Sequence, residues 1–135
     1  MTGVLWVTSR DGKLVSRIDP KINQVVETIE IGFPTTGLAV TKDAVWVAGS
    51  KDPQLTRIDP KTNHVVTQIN IASNSWGVAA TEDTVWLITN GNNTLSKIDY
   101  QTNQIVAVFK VGSGPLRIAV DDNALLIANN GEDTV

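Results

Sequence analysis

The segment LTRIDPKTNHVV, residues 55–66, contains the side chains of this sequence best suited to proton transfer. It holds the one histidine of the chain, His64, five positions after the carboxylate of Asp59. Histidine and carboxylates are the usual general acids and bases of enzymes. The segment also suits a tight turn, because Asp59 can accept backbone hydrogen bonds, Pro60 fixes φ and Asn63 tolerates a left-handed backbone. The rest of the chain has to distinguish a catalytic site from a turn.

An internal repeat of 40 residues favours the turn. RIDPKINQVV at 17–26 returns as RIDPKTNHVV at 57–66 and as KIDYQTNQIV at 97–106. Gln24 and Gln104 stand where the middle copy has His64. A unique active site would not need the same turn three times. We therefore predict that residues 59–63 form a structural turn and that His64 is an ordinary exposed polar residue.

The same repeat predicts the fold. Short apolar or alternating runs, typical of strands rather than helices, occur at 45–48, 55–58, 65–71 and 78–80 and recur 40 residues away. Four short strands in 40 residues are typical of a β-propeller blade. We predict one all-β domain, residues 1–135, of four-stranded antiparallel blades, with about three blades per chain plus a spare strand. The approximate repeat units are 1–36, 37–76, 77–116 and a partial unit 117–135.

Tryptophan and glycine recur within this pattern. Trp6, Trp46 and Trp86 occupy one position of the repeat, and Leu126 occupies it in the last copy. A flat indole repeated once per blade suits the gap between neighbouring sheets, so we predict core packing for the three tryptophans. Turn dipeptides separate pairs of strands at Asp11-Gly12, Asn90-Gly91 and Asn130-Gly131. We expect them to supply the positive φ that tight hairpins require.

Composition limits the classes of partner. The net charge is −3 with acidic and basic residues interspersed, so no basic stripe is available to neutralise nucleic-acid phosphates. The chain has no cysteine, and no apolar run approaches the roughly 18 residues of a membrane span. We therefore expect neither a nucleic acid nor a membrane as partner. The residue pattern also predicts no metal site and no cofactor.

The string VWVAGSKDPQLTRIDPKTNHVVTQINI, residues 45–71, resembles the repeats of YVTN-type and streptogramin-lyase-like bacterial β-propellers. The resemblance covers nearly the whole chain and implies a ring of six or seven blades, often in an extracytoplasmic or secreted protein. In streptogramin B lyase, histidine and glutamate side chains near the axis act with a divalent metal. The one histidine here, His64, falls in the turn between the two outer strands, so the resemblance places no lyase site in this chain.

About three blades are too few for a closed ring, because propellers usually close with 4 to 8. Two chains associating head to tail would give six blades, and we expect this homodimer. The innermost strand near residues 117–120 would then complete the first blade of the partner. Alternatively, the chain is a fragment of a longer propeller, including a lyase or hydrolase whose catalytic residues are absent here. A third alternative is a polypeptide made to study blade assembly.

Departures from the repeat identify the candidate binding residues. Arg117 stands where the other copies have Gly37 and Gly77, and Trp76 stands where they have Thr36 and Leu116. An arginine can bind a carboxylate or phosphate through two hydrogen bonds, and an indole can stack on a planar or sugar ring. The loops on this face give the candidate ligand-binding set Arg117, Trp76, Thr36, Arg10, Lys51 and Asn90.

The sequence favours a non-enzymatic binding module whose ligand is a small molecule, a glycan or a protein. Each leading candidate also has a structural alternative. Arg117 would then pair with a neighbouring acidic side chain, Trp76 would fill the axial channel, and Asn90 would serve its turn.

Overall fold

The computed structural model describes residues 3–121 and 123–135, and every regular element in that part of the chain is a β-strand. The strands are β1 Leu5–Thr8, β2 Leu14–Asp19, β3 Gln24–Glu30, β4 Thr35–Val40, β5 Val45–Gly49, β6 Gln54–Asp59, β7 His64–Asn70, β8 Ser75–Ala80, β9 Thr84–Thr89, β10 Thr94–Asp99, β11 Gln104–Lys110, β12 Pro115–Val120 and β13 Leu125–Asn129. Each predicted strand overlaps one of these elements. The described residues contain no helix long and apolar enough to span a membrane.

The strands form four antiparallel sheets in which consecutive strands are neighbours. Blade 1 has the order β1-β2-β3, blade 2 β4-β5-β6-β7, blade 3 β8-β9-β10-β11, and blade 4 β12-β13. Two four-stranded meanders flanked by parts of two others are blades of a β-propeller, so the predicted fold class is confirmed. Among the described residues, blade 1 has no innermost strand, and blade 4 consists of the innermost strand and the one beside it.

The core lies in the junctions between blades. Trp6, Val15 and Ile29 of blade 1 pack on Val45 and Val47 of blade 2. The same positions recur between blades 2 and 3, where Trp46 is completely buried. Trp86 packs beside the smaller cluster between blades 3 and 4 and is only partly buried. The prediction that the tryptophans fill the gaps between blades is confirmed.

The outer hairpins have the predicted geometry. The backbone N–H of Lys61 donates to Asp59 Oδ1 at 2.7 Å, and Asn63 is left-handed with φ 59°. Asn23 and Asn103, the equivalents of Asn63, have φ 53° and 58°. His64 is exposed at the start of β7, opposite Asp59. What resembled an acid–base pair is the outer turn of a blade.

The prediction for the glycine-containing turns is wrong in detail. The left-handed residues there are Lys13, Asn93 and Asp133. Lys13 follows the glycine of its dipeptide directly, and the other two lie two positions after theirs. In the first hairpin the N–H of Ser9 donates to the carbonyl of Leu14 at 2.9 Å, which encloses a loop of residues 10–13. Loops of this length are usually built around a type I turn, and here the last loop residue adopts the positive φ.

Candidate functional site

Five of the six candidate ligand-binding residues line adjoining cavities beside the innermost strands. Arg10, Thr36, Lys51 and Trp76 line a cavity of about 400 Å³. Its remaining wall consists of Asp11, Pro34, Ser50 and Asn74. The residue types at these four positions differ from copy to copy, so the repeat did not identify them.

Two smaller cavities continue from the first. Arg10, Thr36, Trp76 and Arg117 line one of about 210 Å³. Thr36, Trp76 and Arg117 also line one of about 300 Å³ along the innermost strands. Thr36 and Trp76 belong to all three cavities, which therefore form one region. We call Arg10, Thr36, Lys51, Trp76 and Arg117 the channel-mouth site.

A β-bulge orients the central residues of this site. The pairing of β4 with β5 shifts register between Thr35 and Gly37, and that of β8 with β9 shifts between Ser75 and Gly77. Thr36 and Trp76 are the extra residues in the two bulges, and Leu116 is the extra residue in the equivalent bulge of β12. A bulge changes the direction of a side chain without ending the strand, which is why bulges recur beside functional sites.

Thr36 also joins two blades. Its Oγ1 donates to the carbonyl of Ser75 at 2.9 Å, so the innermost strands of blades 2 and 3 are held together directly behind Trp76. Trp76 itself is half-buried. The indole is therefore held by the strands around it while part of its surface faces the cavities.

The cationic groups of the site have no acidic partner among the described residues. Within the described ranges, the only ion pairs at 4.0 Å or less are those of Lys42 and Lys61 with Asp43, on another part of the surface. Arg117 is exposed, and its Nη1 donates to the carbonyl of the adjacent Leu116 at 3.0 Å. The alternative in which Arg117 pairs with an acid therefore has no described carboxylate to support it.

The two glycines that correspond to Arg117 lie where inner strands approach each other. A Cβ atom on Gly77 would meet Ile118 Cγ2 and Ile88 Cδ1 at 3.1 Å, and one on Gly37 would meet Gly77 Cα at 3.7 Å. Arg117 lies on β12, is exposed, and shares a cavity with Arg10, Thr36 and Trp76.

Asn90, the sixth candidate, lies apart from the channel-mouth cavities. Its Nδ2 donates to the carbonyl of Pro115 at 3.3 Å and links blade 3 to blade 4. This contact was not evident from the repeat, because the equivalents of Asn90 in the first two copies are Arg10 and Ser50.

A further cavity of about 410 Å³ lies at the opposite end of the junction between blades 3 and 4, against Trp86, Asp83 and Asp121. The carboxylates of Asp83 and Asp121 accept hydrogen bonds from residues of their own turns. The Thr81 hydroxyl holds the pKa of Asp83 below its usual value, and the backbone N–H groups of Asn123 and Ala124 lower the pKa of Asp121. In residues 3–121 and 123–135, no three His, Cys, Asp or Glu side chains are grouped as metal ligands.

Sequence reasoning missed an arginine contact between the outer turns. Arg17 Nη1 donates to Asn63 Oδ1 at 3.0 Å and to the carbonyl of Pro60 at 3.2 Å, in the next blade. Arg57 repeats the contact with Asn103 Oδ1 and the carbonyl of Tyr100, both at 2.9 Å. Arg57 also lies over the rings of Trp46 and Tyr100, 5.3 and 4.6 Å from their centroids. The signal was present, since basic residues recur at 17, 57 and 97.

Comparisons with known proteins show the fold. The sequence matches no family model and no curated protein. The structure is similar to Kuenenia stuttgartiensis hydrazine synthase, with a TM-score of 0.88 and 16% identity over 96% of this chain and 40% of that chain. A functionally unknown protein from Desulfotomaculum acetoxidans gives 0.81 and 17% over 90% and 41%, and BamB from Moraxella catarrhalis gives 0.76 and 18% over 94% and 40%.

These structural relatives include β-propeller proteins, and the chain spans about 40% of the length of each of the three. A similarity at such low identity establishes the propeller architecture and carries no activity with it. The resemblance to the YVTN-type family remains a prediction from the repeat sequence.

Proposed function

We propose that this chain is a non-enzymatic binding module that holds an anionic small molecule or an acidic sugar at the channel-mouth site. One observation carries the proposal: Arg10, Lys51 and Arg117 surround the half-buried indole of Trp76, and none of the three cations has a described carboxylate within 4 Å. Asp11 lines the same cavity but forms no ion pair with these cations within 4.0 Å, so they are available to bind an anion.

The chemistry of the site favours a ligand with an acidic group and a flat face. A guanidinium binds a carboxylate or phosphate with two parallel hydrogen bonds, and the indole offers a surface for a ring. The largest of the three cavities at this site, about 400 Å³, lies within the range of small-molecule sites. Because the whole chain carries a net charge of −3, a local group of cations also gives anions a distinct place to bind.

Isothermal titration calorimetry with matched probes tests the proposal. Adenosine monophosphate and glucuronic acid are the anionic probes, and adenosine and glucose are their uncharged counterparts. We expect the anionic probes to bind more tightly, and added salt to weaken them because exposed charges are screened. Equal binding of charged and uncharged probes, or no binding of either anion, would contradict the proposal.

Restoring the repeat at position 117 locates the binding. We expect Arg117→Gly to weaken the anionic probes by about tenfold, the effect of one hydrogen-bonded charge. Lys21→Ala, which removes an exposed charge from an outer turn, is the matched control and should leave binding unchanged. Equal affinities of the wild type and Arg117→Gly would place the anion elsewhere.

We also propose that self-association completes the ring around this site. Two copies would supply six blades, within the range in which propellers close. An enzymatic role, as part of a propeller lyase or hydrolase, would need catalytic residues from outside this chain, because His64 lies on the outer turn of blade 2, away from the axis.

A further inference from the structure

We infer that the exposed end of blade 3 binds blade 1 of a second copy of this chain, and that Lys97 of one copy contacts Asn23 of the other. The inference deepens the self-association part of the proposed function and rests on it. It does not depend on the ligand at the channel-mouth site.

The internal junctions define what such an interface looks like. We call the surface of a blade that faces the following blade its tail, and the surface that faces the preceding blade its head. The tail of blade 1 packs on the head of blade 2, and the tail of blade 2 on the head of blade 3. The head residues Val45, Val47 and Ile58 of blade 2 are 0% exposed, as are Val85, Leu87 and Ile98 of blade 3.

Part of the same surface is exposed in blades 1 and 3, while Leu95 on the tail of blade 3 is buried with Ile127 of β13. On the head of blade 1, Leu5 is 55% exposed and Val7 48% exposed. On the tail of blade 3, Phe109 is 48% exposed, whereas its equivalent in blade 1, Ile29, is 8% exposed. Each surface is one half of an interface that the chain builds twice internally, so the apolar surface that fits each half is the other half.

The polar contact of the junction is also split between the two ends. Lys97 stands where Arg17 and Arg57 stand, and its Nζ lies over the ring of Trp86 at 5.6 Å from the centroid. At the other end, Asn23 has the left-handed φ of 53° that Asn63 and Asn103 have. Asn63 and Asn103 each accept a hydrogen bond from an arginine of the preceding blade. Asn23 is exposed, and its side chain makes no hydrogen bond among the described residues.

This geometry therefore assigns Lys97 a partner in the second copy, the outer turn of blade 1. When the head of a second copy takes the place of a next blade, Lys97 Nζ meets the residue 19–23 turn of that copy. The carbonyl of Pro20 and Oδ1 of Asn23 are the two acceptors, equivalent to those that Arg17 uses in blade 2. A cation facing two neutral oxygen acceptors is complementary, and the contact repeats an interface already present in the chain.

One strand must leave for the junction to form, because β13 occupies the place that β1 of the second copy would take. Leu125 and Ile127 of β13 correspond to Leu5 and Val7 of β1. Trp6 of β1 is 8% exposed and packs under Arg17, whereas Leu126 of β13 is 58% exposed. Losing β1 would open an internal junction, so β13 is the strand that leaves. β12 then pairs with β1 of the second copy, and two such junctions close a six-bladed ring.

Disulfide trapping tests the exchanged strand, and the absence of natural cysteines makes it clean. Val120 pairs with Leu125 in β13, so in the ring it should face Leu5 of the second copy. We expect Val120→Cys/Leu5→Cys to form a covalent dimer on oxidation, because directly opposed strand residues meet the distance requirement of a disulfide. The mismatched pair Val120→Cys/Val7→Cys is the control. A disulfide within one chain, or equal trapping of the two pairs, would overturn the exchange.

Sedimentation velocity tests the Lys97–Asn23 contact. We expect a dimer of the 14.5 kDa chain at micromolar concentration. Lys97→Arg restores the donor of the other junctions and should lower the dissociation constant by about tenfold, while Asn23→Ala should raise it by about tenfold and cancel the gain of Lys97→Arg. Lys21→Ala in the same turn is the control.

The outcomes separate the two proposals. A monomer at all concentrations up to about 100 μM, or chains that lengthen with concentration, would overturn self-association and this inference together. A dimer whose dissociation constant is unchanged by Lys97→Arg and by Asn23→Ala would overturn the assigned contact alone. Binding of the anionic probes is measured independently of both results.

Discussion

The outer turns and the channel-mouth site use arginine for opposite purposes. At the outer turns, Arg17 and Arg57 are partly buried, each donating to a carbonyl and an asparagine of the next blade. At the channel mouth, Arg10 and Arg117 are exposed and have no described acidic partner. The basic residues that follow the 40-residue repeat hold blades together, whereas Arg117 breaks the repeat and contacts no neighbouring blade by hydrogen bond.

The difference follows from what surrounds each side chain. A guanidinium between two aromatic rings, with both acceptors supplied by a turn of fixed shape, loses little freedom on binding because the turn is already formed. A guanidinium in water at the rim of a cavity retains its freedom and contributes little to stability. Periodic placement therefore marks structural arginines in this chain, and aperiodic placement marks those available to a ligand.

Removing an outer-turn arginine should give the largest effect. We expect Arg57→Ala to lower the free energy of unfolding by about 3 kcal/mol, because two charge-assisted hydrogen bonds and the stacking on Trp46 and Tyr100 are lost together. Urea unfolding followed by tryptophan fluorescence at one fixed protein concentration measures it. Arg57→Lys, which introduces the residue that blade 3 has at this position, should have a free energy of unfolding between those of the wild type and Arg57→Ala. A change below about 1 kcal/mol would mean that the contact contributes little to the stability of the fold.

The acceptor side of the contact should give a smaller effect that depends on the blade. Asn63→Ala removes the acceptor of Arg17 and a residue tolerant of positive φ, and we expect a loss of about 2 kcal/mol. In an isolated monomer, Asn23→Ala removes only a residue tolerant of positive φ, and we expect the free energy of unfolding to fall by about 1 kcal/mol.

The comparison of Asn63→Ala with Asn23→Ala separates the hydrogen bond from the backbone. Both are measured by urea unfolding at concentrations low enough to keep the chain monomeric, and Asn63→Gly, which keeps the positive φ without the acceptor, is the control. Equal losses for the two alanine variants would show that the backbone conformation is the whole contribution.

The sequence predicted most of the fold because the repeat exposes it. The strands, the outer turns and the buried tryptophans each occur several times, so every copy tests the interpretation of the others. The position of the left-handed residue in the glycine-containing loops was missed, since Asp11-Gly12 fits a two-residue loop as well as the longer loop that forms. Loop length depends on where strand pairing stops, and a dipeptide does not contain that information.

The site was harder to predict from sequence than the fold. Trp76 and Arg117 stand out because they break the repeat, and the structure brings them into shared cavities. The contact from Arg17 to Asn63 crosses 46 residues, and no local pattern links the two positions. Asn90 was chosen from its loop, but its amide faces Pro115 of the following blade. Contacts between blades depend on how sheets stack, which single-repeat reasoning does not determine.

Acid should weaken the outer turns, because two of their carboxylates accept hydrogen bonds that stabilise the charged form. The backbone N–H of Lys61 lowers the pKa of Asp59 from 3.8, and hydrogen bonds from the backbone and side chain of Thr102 lower the pKa of Asp99 from the same value. A lowered pKa in the folded state means that the unfolded chain takes up protons first. The stabilisation is therefore complete above about pH 4 and is lost as the pH falls through the folded-state pKa values.

Urea unfolding between pH 5 and pH 2.5, a range around the ordinary aspartate pKa, measures this loss. We expect Asp59→Asn/Asp99→Asn to show a shallower decline with acid than the wild type. Asp52→Asn, which changes an exposed carboxylate that accepts no hydrogen bond among the described residues, should follow the wild type. Parallel curves for all three proteins would show that the turn carboxylates do not cause the acid sensitivity.

The smallest effect should come from the residue that matters most to the proposed ligand. Arg117 is exposed and its one hydrogen bond is to its own neighbour, so we expect Arg117→Gly to change the free energy of unfolding by less than about 0.5 kcal/mol. The reverse change shows why glycine stands in the other copies: Gly77→Ala brings a Cβ to 3.1 Å from Ile118 and Ile88 and should cost about 1 kcal/mol. Both are measured by urea unfolding. If Arg117→Gly destabilised the fold as much as Gly77→Ala, position 117 would be structural, and its departure from the repeat would no longer indicate a ligand.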